Sequence, residues 1–396
     1  MLIVFFPPSS LPRRLEWYRI PGYQITLSVV KRPRNLCDSL LTSAPPNCIV
    51  ARAPAKLNLF LELLGKRPDG FHDIDTVMVP IDCHDTLVVR ATGKRALGES
   101  RIRIRTDWWP SREHWAEQLG QASAEELLDI PGDERNLIHR AIVATAELTG
   151  CESGFDVSVR KRIPAGAGMG GASSDAAAAI RATAALTGVD VQDARLWGLA
   201  ARIGSDVPFF LGLEPDGVTA DRAREREAAS LGGMRPRNSQ GKTLAMRATG
   251  RGEVLSRVEL NTELRFIVAF PATSLSTARV YGQSVVPRHP ASSQLLVDAM
   301  EMGDILKMGG AMMNRLAEPA RKISTLVTDL LEEMWNCGLP RCQLTGSGSA
   351  CFSLLDENSD GNTLAMHLRS ALNARKLPAV LMTARSIAVP RSLREI

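Results

Sequence analysis

The sequence predicts an α+β protein, and three features of its 396 residues lead to that class. Polar and apolar side chains alternate from Lys56 to Leu63, which is the two-residue period of a strand with a buried face. A second strand beginning at Phe155 runs through a glycine-rich loop into an alanine-rich helix. Strands and helices alternate again in the last third of the chain. At ~150 residues per domain, the length suggests two or three domains.

Composition and charge exclude several classes of protein. Hydrophobic residues make up 44% of the chain and charged residues 23%, which is ordinary for a soluble globular protein. The net charge of +5 is small and dispersed, so no nucleic acid is expected as a partner. No stretch approaches the ~20 apolar residues of a membrane span, so no membrane is expected either. The seven cysteines contain no C-x-x-C pair, so we expect a reducing cytoplasm rather than a zinc ribbon or a disulfide framework.

Residues 1–48 differ in composition from the rest of the chain. They hold six basic residues against two acidic ones, several prolines and no clear periodicity. This pattern predicts an extension that is disordered or not translated in the native protein. A targeting segment is the alternative.

Lys56 and Asn58 are the first candidate site residues. Side chains at i and i+2 of a strand share a face, so this spacing places an ammonium beside an amide, and such a pair could hold an oxyanion. The alternative is that Lys56 is a solvated strand residue.

The glycine-rich loop is the second candidate. Glycines at 166, 168, 170 and 171 permit backbone geometries in which successive N–H groups converge on an anion. Ser173 or Ser174 is predicted to cap the following helix, whose positive end adds to the anion site. A tightly packed turn is the alternative, but the order of strand, loop, serine pair and helix favours phosphate binding.

Other nucleotide-binding motifs do not fit the chain. Gly241-Lys242-Thr243 lacks the glycine that a Walker loop needs at position 236, which is proline. Neither H-R-D nor D-F-G of protein kinases occurs. A Rossmann site is disfavoured because the expected acidic residue is missing after the loop.

Two further short segments leave alternatives open. Asp206 stands between a Gly-Ser turn and an apolar Val-Pro-Phe-Phe run, where it is either a helix cap or turn former, or a buried general base. The run from Gly346 to Ser349 is either a tight turn or a loop that closes over a ligand.

Two inserts interrupt the pattern. Residues 107–131 hold Trp108, Trp109 and Trp115 and are predicted to form an excursion from the core. Residues 213–246 are polar and contain several glycines and prolines, and they are predicted to form a mobile surface insertion.

Six segments together resemble a known superfamily. Three of them resemble, in order, the motifs of the GHMP small-molecule kinases: Pro54-Ala-Lys-Leu-Asn-Leu, Pro164-Ala-Gly-Ala-Gly-Met-Gly-Gly-Ala-Ser-Ser-Asp and Leu344-Thr-Gly-Ser-Gly-Ser. Within that superfamily, three more resemble the kinases of 4-diphosphocytidyl-2-C-methyl-D-erythritol: Lys66-Arg-Pro-Asp-Gly-Phe-His, Gly204-Ser-Asp-Val-Pro-Phe-Phe and Gly250-Arg-Gly-Glu. The resemblance spans residues 49–390.

The resemblance implies a fold and an activity. The implied fold has a ribosomal protein S5 domain 2-like N-terminal, ATP-binding domain at 49–257 and a ferredoxin-like C-terminal domain at 258–396. The implied reaction transfers the ATP γ-phosphoryl group to the 2-hydroxyl of 4-diphosphocytidyl-2-C-methyl-D-erythritol, in the non-mevalonate (methylerythritol phosphate) isoprenoid precursor pathway. The alternatives are another GHMP kinase, for homoserine, mevalonate or a sugar, and a catalytically silent nucleotide-binding regulator.

The resemblance also implies roles for individual residues. Lys56 and Asp206 match the catalytic pair, and Asn58, Phe71 and His72 match substrate-contacting positions. The implied ATP-phosphate loop comprises Pro164, Ala165, Gly166, Ala167, Gly168, Met169, Gly170, Gly171, Ala172, Ser173 and Ser174. ATP and Mg²⁺ are the implied cofactors, and the Mg²⁺ ligands stay open, with Ser174 and Asp175 as candidates. Phe71 stands where the family commonly has tyrosine, so we expect a hydroxyl contact to be lost.

Overall fold

The computed structural model of the protein describes residues 48–94, 100–212, 243–387 and 393–395. The predicted N-terminal extension, apart from Cys48, and residues 213–242 of the second insert lie outside this range. Residues 243–246 of that insert open a strand.

The described residues form twelve strands, numbered in chain order. They are β1 (Cys48–Lys66), β2 (His72–Thr92), β3 (Ile102–Trp108), β4 (Gly154–Lys161), β5 (Thr243–Gly250), β6 (Val254–Leu260), β7 (Arg265–Pro271), β8 (Met313–Asn314), β9 (Cys342–Leu344), β10 (Cys351–Leu354), β11 (Ala379–Arg385) and β12 (Leu393–Glu395).

The helices of the same residues are short to medium in length. They are α1 (Arg112–Leu119), α2 (Gln121–Leu127), α3 (Leu137–Thr149), α4 (Gly171–Leu186), α5 (Ala194–Ile203), α6 (Val207–Leu211), α7 (Thr277–Gly282), α8 (Gln294–Met302), α9 (Ile305–Ala311), α10 (Ala317–Ile323), α11 (Thr325–Asn336) and α12 (Gly361–Ala374). Within the ranges described, none of the helices is long and apolar enough to cross a membrane.

The larger sheet is built around the long antiparallel pair β1 and β2. Its main path runs β12-β1-β2-β4-β3, while β5 pairs with β2, β6 with β5 and β8 with β1. The strand β2 pairs with β4 over residues 86–92 and with β5 over residues 74–78, so different partners lie at its two ends. The helices α3 and α4 cover one face, and the four alanines from Ala176 to Ala179 of α4 are fully buried.

The smaller sheet has the order β11-β7-β10-β9, and all its pairs are antiparallel. In chain order, helices including α11 separate β7 from β9, and α12 separates β10 from β11. This is a β–helix–β–β–helix–β unit of the ferredoxin-like kind. Because β6 ends at Leu260, we propose that the two domains divide after β6 rather than after residue 257.

The strand β1 is buried on both faces, which is more than the alternation of its side chains indicates. Leu57 and Leu59 are fully buried, but Lys56 is only 3% exposed and Asn58 only 2%. The polar face is covered by the C-terminal part of the chain. There, the side-chain amide of Gln343 donates hydrogen bonds to the carbonyls of Asn58 and Leu59, at 3.0 and 3.1 Å.

Glu62 continues this buried polar face and ties it to the C-terminal part of the chain. Two guanidinium nitrogens of Arg315 each donate a hydrogen bond of 2.7 Å to its carboxylate. The backbone N–H groups of Leu63 and Ala291 add hydrogen bonds of 2.9 and 3.1 Å. Burial alone would raise the pKa of Glu62, but the hydrogen bonds from Arg315 and the two backbone groups outweigh burial and lower this pKa.

The first insert packs into the core, and the expectation of an excursion is wrong. It folds as α1 and α2, and the side chains of Trp108, Trp115, Leu119 and Leu128 are all buried. They join the same apolar cluster as β7 and β11. The physical reason is that the tryptophans and the leucines supply an apolar face, and removing such a face from water stabilises the protein.

We expect Glu62→Gln to lower the free energy of unfolding by roughly 1–3 kcal/mol at pH 7, because its hydrogen bonds to Arg315 lose their charge assistance. The native pKa of Glu62 lies below the ordinary value of 4.5, so its stabilising effect is complete above pH 4.5. The effect is lost as the pH falls through the native pKa. Urea denaturation at a series of pH values measures the difference between the two proteins.

The matched control is Glu318→Gln, which removes an exposed carboxylate paired with Lys322. We expect no measurable change in stability for this variant. A Glu62→Gln effect that stays constant from about pH 7 to about pH 3, or one no larger than that of the control, would contradict the interpretation.

Candidate active site

A cavity of about 1150 Å³ lies between the large sheet and the C-terminal part of the chain. Lys56 lines its centre and pairs in register with Pro80 of β2. Towards one end of β2, the cavity is lined by Phe71, His72 and Arg251. Towards the other end, beyond the glycine-rich loop, it is lined by β3 and β4 residues and by the segment that follows the first insert.

The centre of the cavity brings together Lys56, Asn58 and Asp206. The Lys56 ammonium donates a short hydrogen bond to the side-chain carbonyl of Asn58, and its Nζ lies 3.7 Å from Oδ2 of Asp206. The Asn58 amide nitrogen in turn donates to the hydroxyl of Thr76 at 2.9 Å. Lys56 is thus a buried residue, not a solvated one.

Asp206 stands at the position that precedes α6, but its side chain makes no capping hydrogen bond. Its carboxylate points towards Lys56 and lines the cavity. The cap hypothesis for this residue is therefore wrong, while the alternative of a turn residue is confirmed, since Asp206 lies in the turn before α6. The expectation of a buried carboxylate is wrong as well, because the Asp206 side chain is 35% exposed. Burial lowers the pKa of the Lys56 ammonium, and the nearby Asp206 carboxylate offsets part of this effect.

The glycine-rich loop forms a concave row of backbone groups. Gly166, Gly168 and Gly170 have φ values of +69°, +78° and +74°, and the intervening Ala167 and Met169 do not share this left-handed conformation. Such alternation turns neighbouring N–H groups towards one point, which is the geometry of an anion-binding nest. The residues from Pro164 to Ser173 line the cavity, whereas Ser174 does not.

The helix after the loop begins earlier than predicted. α4 starts at Gly171, and Gly170 holds the N-cap position without a side-chain capping bond. Ser174 lies inside the helix, where its N–H donates to the carbonyl of Gly170 at 2.9 Å. The prediction that Ser173 or Ser174 caps the helix is therefore wrong, because the left-handed turn at Gly170 already starts the helix.

The second glycine-serine turn packs against the first. The N–H groups of Ser349 and Ala350 donate to the carbonyls of Gly166 and Ala167 at 3.3 and 3.1 Å. Gly346 and Ser347 line the cavity, so this segment is more than a tight turn between two strands.

An aromatic group lines the end of the cavity near the β1–β2 turn. Phe71 is 51% exposed, and the Arg251 guanidinium lies over its ring at 5.1 Å from the centroid. The rings of His72 and Tyr281 lie 5.4 Å apart. Burial, and then the Lys66 charge, lower the pKa of His72, which favours the neutral imidazole.

A buried ion cluster lies beside the two ends of the glycine-rich loop, away from the aromatic group. The Lys161 ammonium contacts the carboxylates of Asp85 and Asp175, the latter at 2.6 Å. Asp85 also accepts a hydrogen bond of 3.0 Å from the N–H of Ile163, just before the loop. Burial alone would lower the pKa of Lys161, but Asp175 and Asp85 raise it; burial raises the pKa of Asp175 to about 7.

Comparison with known proteins assigns the chain to a family. Residues 136–212 match the GHMP kinases N terminal domain. A 4-diphosphocytidyl-2-C-methyl-D-erythritol kinase from Rhodopirellula baltica is 41% identical over 324 residues, which are 80% of this chain and 90% of the relative. The chain belongs to the 4-diphosphocytidyl-2-C-methyl-D-erythritol kinase family.

Solved structures agree with membership in this kinase family. A crystal structure of 4-(cytidine 5'-diphospho)-2C-methyl-D-erythritol kinase is 26% identical, has a TM-score of 0.58, and is matched over 85% of this chain and 98% of its own. A homoserine kinase from Cytophaga hutchinsonii is 19% identical with a TM-score of 0.57, over 89% of this chain and 98% of its own. At 19% identity, the similarity to the homoserine kinase shows only a shared fold.

Membership in the 4-diphosphocytidyl-2-C-methyl-D-erythritol kinase family confirms two predictions from the sequence. The fold is the two-domain fold of the GHMP kinases, and the protein is an ATP-dependent kinase of small-molecule alcohols.

Several cavity residues were not predicted from the sequence. Tyr281 and Arg251 lie beside His72 and Phe71, and Ile130 lines the opposite end. Tyr281 is one of three tyrosines in the chain, and Arg251 belongs to the Gly-Arg-Gly-Glu motif, so both could have been singled out as candidates. No sequence signal marks Ile130.

We expect Gly168→Ala to weaken nucleotide binding at least about tenfold. An added Cβ would lie 2.2 Å from the Thr345 carbonyl oxygen and 2.7 Å from the Gly348 nitrogen, so the two glycine-rich turns would have to separate. Gly188→Ala is the matched control, since Gly188 has a similar φ of +72° and open space around it. Both variants carry the strain of a left-handed alanine, about 1 kcal/mol, but only the first meets a clash.

Titration calorimetry with a non-hydrolysable ATP analogue measures the affinity of each variant, and thermal denaturation measures its stability. Equal nucleotide affinity in the two variants would show that the contact between the turns is not needed for binding.

Proposed function

We propose that this chain transfers the γ-phosphoryl group of ATP to the 2-hydroxyl of 4-diphosphocytidyl-2-C-methyl-D-erythritol, giving the 2-phosphate and ADP. One observation carries the proposal: a single cavity joins an anion-binding glycine loop, a Lys56–Asp206 pair and an aromatic group suited to a nucleobase. A homoserine or mevalonate kinase does not need such an aromatic group, because its acceptor has no ring to stack.

The cytosine of the acceptor is assigned to the end lined by Phe71, His72 and Tyr281. Aromatic rings at a cavity wall offer stacking surfaces for a flat base. His72 carries ring nitrogens that can exchange hydrogen bonds with the cytosine edge, and Asn58 lies between this end and the reacting groups. Phe71 supplies a ring face without the hydroxyl of the tyrosine that is common in the family.

Asp206 is proposed as the acceptor of the hydroxyl proton. As the acceptor oxygen bonds to the γ-phosphorus, the bond from that phosphorus to the ADP oxygen breaks, and the proton passes to the carboxylate. Lys56 stabilises the negative charge that develops on the oxygens, and its burial strengthens this effect. The loop from Pro164 to Ser174 holds the ATP phosphates through the backbone N–H groups of its residues from Ala165 to Ser173, which line the cavity.

Mg²⁺ is proposed to accompany ATP, and Asp175 fits it best among the described residues. Its Oδ1 is buried and lacks a hydrogen-bond partner within the described part of the chain, and the residue lines the cavity. The hydroxyl of Ser174 is also buried without a partner there, but it does not line the cavity. Carboxylate oxygens are ligands that Mg²⁺ prefers. When bound, the ion neutralises charge on the phosphates.

The decisive experiment measures ATP-dependent phosphorylation of 4-diphosphocytidyl-2-C-methyl-D-erythritol by the purified protein with Mg²⁺. Homoserine, mevalonate and galactose are tested in parallel, and a reaction without Mg²⁺ is included. We expect turnover of the cytidyl substrate alone, lost when Mg²⁺ is omitted. Turnover of another alcohol instead would refute the substrate, and ATP binding without any turnover would support a silent regulator.

For Asp206→Asn, we expect kcat to fall about 10²-fold or more while ATP affinity stays within about twofold, because the amide cannot accept the proton. Steady-state kinetics and calorimetric ATP titration check the two quantities. Asp298→Asn is the control, as Asp298 lies on α8 outside the cavity and contacts Gln294. Near-normal turnover by Asp206→Asn would remove it from this role.

A further inference from the structure

The first insert ends at one wall of the cavity, and the proposed reaction assigns no role to this wall. Ile130, shortly after α2, lines the cavity at the end away from Phe71. Ile163 lines the same end and is followed at once by Pro164, where the glycine-rich loop begins. This wall therefore adjoins the phosphate loop on the side opposite the aromatic group.

Hydrogen bonds from the side chains of the insert hold this wall in place. The indole Nε1 of Trp108 donates to the carbonyl of Leu128 at 2.9 Å, and Arg112 donates to the same carbonyl at 3.3 Å. The side chain of Leu128 is itself buried in the apolar core. Since Leu128 stands two residues before Ile130, this anchor sets where Ile130 lies against the cavity.

The far side of the wall is held as well. The side-chain amide of Asn136 donates to the carbonyl of Pro131 at 2.7 Å, and its oxygen accepts the N–H of Ile138 at the start of α3. Trp108 is 7% exposed and Asn136 is 8% exposed, so water competes little for these bonds. The wall is therefore a fixed surface and not a loose loop.

The insert also joins this wall to the C-terminal domain. The side-chain oxygen of Gln118 on α1 accepts a hydrogen bond of 2.8 Å from Arg369 on α12. Arg369 donates a second hydrogen bond, of 2.7 Å, to the carbonyl of Ala379 at the start of β11. The insert is thus held from both domains.

We propose that the first insert forms the outer wall of the subsite for the ATP base, and that Trp108 is a positioning residue that sets Ile130 against that base. The inference rests on the proposed function, which assigns the cytidyl group to the Phe71 end and the ATP phosphates to the loop. The ATP base then falls at the remaining end, where apolar side chains present a surface to a flat ring. These side chains belong to Ile130, Ile138, Val159 and Ile163.

Two variants test the wall, and a third controls for loss of packing within the insert. Trp108→Phe removes the indole donor but keeps a ring, and Ile130→Ala shortens the side chain at the cavity. Trp115→Phe is the control, because Trp115 is also buried and its Nε1 also donates to a carbonyl, that of Trp109, at 3.0 Å. Its ring packs 5.1 Å from that of Trp108, but it does not line the cavity and leaves the bond to Leu128 intact.

We expect Trp108→Phe and Ile130→Ala to raise the KM for ATP and the Kd for ADP about three- to tenfold. The KM for the acceptor, the affinity for inorganic tripolyphosphate and kcat should each stay within about twofold, because the wall contacts the base and not the phosphates. Trp115→Phe should leave all of these quantities unchanged, even if its Tm falls.

Three outcomes would overturn the proposal. They are an equal loss of ADP affinity in Trp115→Phe, an equal loss of tripolyphosphate affinity in Ile130→Ala, and a rise in the KM for the acceptor in place of the KM for ATP. The ADP and tripolyphosphate titrations need no acceptor. A failure of the proposed substrate is therefore distinguishable from a failure of the proposed wall.

Discussion

The cavity depends on the close approach of two glycine-rich turns that are far apart in the chain. A Cβ on Gly168 would lie 2.2 Å from a backbone atom of the opposite turn, and one on Gly348 would lie 2.0 Å away, so only glycine permits this contact. The loop is also joined to β1, where the N–H of Lys56 donates to the carbonyl of Met169 at 3.0 Å. The shape of the anion-binding loop therefore requires both domains.

The contact between the two domains also buries the polar face of the long central strands β1 and β2. Buried charges are costly unless they are paired, and two carboxylates of this face have partners from distant segments. Asp75 on β2 binds Arg247 through two hydrogen bonds, as Glu62 on β1 binds Arg315. These pairs hold β5 and the C-terminal segments against the strands that carry the candidate catalytic lysine.

The sequence alone was sufficient where local chemistry decides structure. The alternation around Leu57 predicted a strand, and the glycines from 166 to 170 predicted a loop of unusual backbone geometry. Sequence reasoning failed where packing decides. The first insert was expected outside the core, but Trp108 and Trp115 are buried in the same apolar cluster as β7 and β11, and no local pattern shows which apolar face finds a partner.

By itself, the sequence determined the first strand, the strand, loop and helix that follow Phe155, and the chemical types at the candidate site: an ammonium, a carboxylate, an amide and a glycine loop. Each of these is set by short-range periodicity and turn chemistry. Only the tertiary structure decided that Lys56 is buried, that Asp206 lies 3.7 Å from it, and that Tyr281, Arg251 and Ile130 join the same cavity. The physical reason is that burial and charge pairing depend on contacts between residues far apart in the chain, which local sequence patterns do not encode.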